Sequence, residues 1–104
     1  MALDLSQVEQ DGHCIVMAKG EIDLYSSPQL REAILKAAKA TKGKVGVNLH
    51  EVAYMDSSGV ATLVEGLQAA GGADSFLLVA PSQSVLKVLQ LSRLDSVFTI
   101  VEQL

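Results

Sequence analysis

The strongest restriction on this chain is the regular alternation, from residue 27 to its end, of amphipathic helical stretches with short apolar runs. Leu30, Ala33, Ile34, Ala37 and Ala38 fall at i, i+3, i+4, i+7 and i+8, one apolar stripe, with Arg31, Glu32, Lys36 and Lys39 outside it. A second stripe, Val60, Leu63, Val64 and Leu67, is ended by Gly71-Gly72. A third helix opens at Pro81-Ser82, with Val85, Val88 and Leu89 inward and Lys87, Gln90 and Arg93 outward. Between and after these lie a buried strand over Val45 to Leu49 with a short apolar run behind it, then "SFLLVA", then "SVFTIV". Each helical stripe must be buried, and the solution open to strands alternating with helices is a layered α/β fold.

The first 22 residues add a hairpin. Two strand-like runs flank Asp11-Gly12, a dipeptide that accepts the positive φ of a tight turn. The order is therefore β-β-α-β-α-β-α-β, predicting one α/β domain over residues 1–104 with a mixed central sheet. At the first helix Ser27 is the expected cap, Pro28 suits the first helical position, and Gly43 can end the segment.

Composition excludes several function classes. Of 104 residues 49% are apolar but only 4% aromatic, so the core is built from Val, Leu, Ile and Ala. The net charge is -4 and the cations are scattered, which argues against binding nucleic acid or an anionic membrane surface. The lone Cys14 sits in the apolar run "CIVMA" and has no partner for an internal disulfide. The N-terminal stretch lacks the pattern of a signal peptide, and no apolar run reaches the roughly 18 residues of a membrane span. The expectation is a soluble cytoplasmic protein.

Enzyme readings fail on spacing. Neither serine of "MDSSG" sits in a G-x-S-x-G frame, and His13 and His50 read as solvated residues beside a turn and after a strand. No His/Cys pair has metal-ligand spacing, and the glycines form neither a dinucleotide fingerprint nor a phosphate loop. No catalysis, cofactor or metal is expected.

What remains is "YMDSSGVATLVEGL", residues 54–67, where Asp56, Ser57 and Ser58 meet the start of a helix. All three are good N-caps, so capping alone could explain them. A strand end running into a helix N-terminus is also where α/β proteins present functional groups, and a phosphoryl group there meets backbone N–H groups and the positive end of the helix dipole. Gly59 is expected to keep that backbone accessible. A second stretch, Gly20-Glu21-Ile22-Asp23, occupies an earlier strand end and by itself reads as a turn.

Taken together, "GEID" and "MDSSG", separated by one helix and one strand, resemble the STAS domain family, in particular the bacterial anti-sigma-factor antagonists. The likeness extends to the closing "LSRLDSVFTI". It implies that Ser57, directly after the motif aspartate Asp56, is phosphorylated by a partner serine kinase that is also the anti-sigma factor. Asp23 matches the aspartate that lies near the acceptor and helps partner recognition, through a contact with the kinase's basic groups. Ser58 and Gly59 fill the remaining motif places. The implied function is partner switching: the unphosphorylated protein binds the kinase and frees a sigma factor, the phosphorylated protein lets go, and a serine phosphatase resets it. The helix after the motif departs from the family by offering Glu65 and Gln68 where basic residues are common. The family also contains stressosome-type scaffolds and non-catalytic subunits of lipid-transport ABC systems, which stand as the alternative.

Overall fold

Asp11 and Gly12 both take positive φ, 52° and 79°, as a two-residue hairpin turn requires. In the computed structural model, which describes residues 3–41 and 44–104, they join β1 (Leu3–Gln10) to β2 (His13–Ile22) in an antiparallel pair with Gln10 opposite His13. The chain continues through α1 (Ser27–Ala40), β3 (Val45–Met55), α2 (Ser57–Ala70), β4 (Phe76–Val79), α3 (Gln83–Leu91) and β5 (Thr99–Val101). Strands β2 to β5 are parallel, and the order across the sheet is the order along the chain, β1-β2-β3-β4-β5.

That order decides where the helices go. Every crossover steps to the next strand in the same direction, so right-handed connections put all three helices on one face. The core is accordingly a single layer between sheet and helices. It joins Val16, Ala18 and Ile22 of β2, Val47, Leu49, Val52 and Met55 of β3, and Phe76 and Leu78 of β4 to Leu30 and Ile34 of α1, Leu63 of α2, and Val85 and Leu89 of α3. Ile15 and Val79, both buried, lie outside that cluster, on the opposite side of the sheet.

The helix stripes sit largely as predicted. Leu30, Ile34, Ala37 and Ala38 are buried, and Ala33 is partly so. On α2 the deep positions are Gly59, Val60, Thr62, Leu63, Gly66 and Ala70, while Val64 and Leu67 pack at the margin. Gly71 closes α2 at φ 95°. The α1 boundaries differ from expectation. Ser26, not Ser27, is the N-cap residue, Ser27 is buried inside the first turn, and Pro28 follows it. At the other end Thr41 caps through its N–H to the Ala37 carbonyl, and the predicted terminator Gly43 lies outside the described residues.

Strand β3 is also longer than predicted, running past Leu49 to Met55. Its pairing with β2 slips twice: Met17 pairs with Asn48, Lys19 with Glu51, Gly20 with Val52, Glu21 with Tyr54, and Ile22 with Met55. Each slip is a β-bulge that opposes two β3 residues to one of β2. Leu49, Val52 and Met55 point inward with two exposed residues between each.

Candidate functional site

Two strand ends meet at the carboxyl edge of the sheet. Ile22 pairs with Met55, and one residue further the Asp56 N–H donates to the Ile22 carbonyl at 3.1 Å. The loop after β2 and the start of α2 are thereby brought together, and with them "GEID" and "MDSSG".

At the start of α2, Asp56 is the N-cap in extended conformation. Its Oδ1 accepts the Ser58 N–H at 2.9 Å and the Ser58 hydroxyl at 2.5 Å. Its carbonyl accepts from Gly59 and Val60, so the first turn is already capped. The two serines are thus unlike. Ser58 is half-buried with its hydroxyl committed to Asp56, whereas Ser57 is exposed and its hydroxyl has no hydrogen bond among the described residues.

Gly59 has a different role from the one expected. It is buried, and a Cβ there would lie 2.4 Å from Met55 Cγ and 2.8 Å from Ile22 Cγ2. It lets the first turn of α2 settle against the two strand ends and does not open backbone to a ligand. The single missing Cβ therefore fixes how closely Ser57 approaches the sheet edge.

At the other strand end Asp23 knots its loop. Its Oδ1 accepts the N–H groups of Tyr25 and Ser26, both at 2.9 Å. The Ser26 hydroxyl accepts the Asp23 N–H and donates to the Glu21 carbonyl, and the Ser27 N–H donates to the Asp23 carbonyl. The donors to Oδ1, led by the Ser26 N–H, hold the Asp23 carboxyl below its ordinary pKa. Leu24 and Tyr25 are left exposed on this knot, and Tyr54 is exposed on β3, paired with Glu21 two residues before Asp23. Sequence reasoning missed these three. Apolar residues directly after one motif and just before the other were the available signal.

Among the described residues no group of His, Cys, Asp or Glu is arranged to hold a metal, and none of their helices is long and apolar enough to cross a membrane. His50 is exposed at the first bulge of β3, away from Ser57. The thiol of Cys14 is buried, and burial, with Glu9 nearby, pushes its pKa up.

A five-stranded mixed sheet with three helices on one face, and a capped serine pair at its carboxyl edge, defines a class. Residues 4–104 match the STAS domain model, and the chain belongs to that family. It is 33% identical over 79 residues to the anti-sigma-B factor antagonist of Staphylococcus epidermidis, covering 76% of this chain and 73% of that one. Among solved structures, an anti-sigma factor antagonist from Mycobacterium paratuberculosis superposes with a TM-score of 0.88 at 24% identity, covering 99% of this chain and 88% of that one. The anti-sigma factor antagonist SpoIIAA in its unphosphorylated form superposes with a TM-score of 0.69 at 28% identity, covering 95% and 87%.

Proposed function

We propose that this protein is an anti-sigma-factor antagonist that works by phosphorylation-controlled partner switching, with Ser57 the acceptor. The observation that carries the reading is the contrast between the serines: Ser57 is exposed and uncommitted, while Ser58 is held by Asp56. Of the two serines, a kinase approaching this edge meets one available hydroxyl. The relatives' names, anti-sigma factor antagonists, support an anti-sigma factor as the partner; in this reading that partner is the serine kinase, and a serine phosphatase restores the free hydroxyl.

Phosphorylation adds a charge of about -1.5 to -2 one residue from Asp56. Because the Ser58 and Gly59 N–H groups are already taken by Asp56, the phosphate gains little from the helix end and stays in solvent. The switch then acts by repulsion at a docking surface, with the fold unchanged. Incubation with the kinase and ATP should label Ser57, Ser57→Ala should abolish labelling, and Ser57→Asp should lower kinase affinity. Phosphate found on Ser58 with Ser57 clean would overturn the assignment.

A further inference from the structure

The expectation for Asp23 is an ionic contact with the partner, but one of its two carboxylate oxygens is already taken up by its own loop. Oδ1 holds two backbone N–H groups, and the Ser26 hydroxyl lies 3.2 Å from the same oxygen. What the knot offers outward is apolar. Tyr25 is 90% exposed, Leu24 68% and Tyr54 50%. These are half of the six large exposed hydrophobics among the described residues, and the other three (Val8, Leu91 and Val97) lie in β1, at the end of α3 and in the loop after it.

Exposed large apolar side chains gathered at one place mark an interaction surface, and tyrosines held on a rigid loop lose little freedom on binding. We infer that Tyr25, with Leu24 next to it and Tyr54 on the adjoining strand, anchors this protein in an apolar pocket of the kinase, and that Asp23 is a positioning residue that holds the anchor out. The inference rests on the partner-switching reading and deepens it. The kinase would grip an apolar post on the loop that follows β2, next to the strand end that leads to Ser57, so that a phosphate on Ser57 expels the partner from a contact whose grip lies elsewhere. Affinity and regulation then reside in different side chains of one surface.

The test measures affinity for the purified kinase that labels Ser57, at low and high salt. Tyr25→Ala should weaken binding by about tenfold or more at both salt concentrations, with unchanged melting temperature, since the side chain supports nothing in the fold. Asp23→Ala should weaken binding severalfold, whereas Asp23→Asn, which keeps the Oδ1 acceptor, should recover most of it. An ionic contact gives the opposite pattern: Asn as damaging as Ala, and a loss that shrinks at high salt. That pattern, or Tyr25→Ala binding like wild type, overturns the inference and leaves the switch at Ser57 standing. If wild type neither binds the kinase nor is labelled, the partner-switching reading falls and the inference falls with it.

Discussion

Gly66→Ala tests whether the closeness of α2 to its neighbours is set by a missing side chain. A Cβ at Gly66 would lie 2.8 Å from Ile34 Cγ2 and 2.9 Å from both Cε1 and Cζ of Phe76. Neither neighbour can step aside, because both are fully buried and the Phe98 ring backs Phe76 at a centroid distance of 6.2 Å. Two effects oppose one another. Alanine in a helix interior is better than glycine by about 1 kcal/mol. Overpacking a tight core costs about 1–3 kcal/mol, and three close contacts to two confined side chains put this case in the upper half of that range. The net expectation is a loss of about 1–2 kcal/mol, a fall in melting temperature of roughly 5–15 °C. Urea unfolding should show a lower midpoint with an unchanged slope. Adding Ile34→Leu, which removes the offending Cγ2, should restore part of the loss. Gly66→Ala as stable as wild type would refute the reasoning and show that α2 can retreat from Phe76 without penalty.

Asp56→Ala should cost about 1 kcal/mol through the lost cap, whereas Ser57→Ala should stay within about 0.5 kcal/mol, both read by denaturant midpoints. The Arg31–Glu65 ion pair joins α1 to α2 with both side chains about half exposed, so a double-mutant cycle should give at most about 1 kcal/mol, shrinking with salt. Asp23 has its carboxyl held below the ordinary 3.8, so its contribution is full above that value and is lost as pH falls through the lower folded pKa. The stability difference between wild type and Asp23→Asn should therefore be flat from about pH 5 upward and shrink in acid. Cys14 should resist a thiol reagent in the native state and react on unfolding, since burial disfavours its thiolate.

The element order, the hairpin turn and most of the core stripes were legible in the sequence, because apolar periodicity and Asp11-Gly12 report directly on backbone geometry. Three things were not. Strand β3 was cut at Leu49 because the inward residues beyond it recur every third position, a pattern belonging to neither a regular strand nor a helix. Gly59 and Gly66 hold deep positions on α2, yet an apolar-stripe reading passes over glycine and credits Val64 and Leu67 instead. The cap of α1 moved by one residue because Asp23 and Ser26 share the work from outside the helix, which a local capping rule cannot see. Of the site, the two motifs were visible and so was their pairing. The inequality of Ser57 and Ser58 was not, since it depends on which hydroxyl turns toward Asp56.

The two bulges of β3 separate the reach of the motif from the integrity of the core. Between the pairs Met17–Asn48 and Ile22–Met55, β2 takes five steps and β3 seven. Both extra residues fall on the outward side, so Leu49, Val52 and Met55 keep facing the helices however many outward residues are threaded between them. A single residue deleted at 50–51 or 53–54 removes one outward side chain and one increment of twist while leaving the inward series in place. A plain alternating strand has no such freedom, because one deletion there inverts every side chain beyond it. In this architecture the angle and height at which Ser57 is displayed can drift, or be engineered, one residue at a time without the hydrophobic layer registering the change.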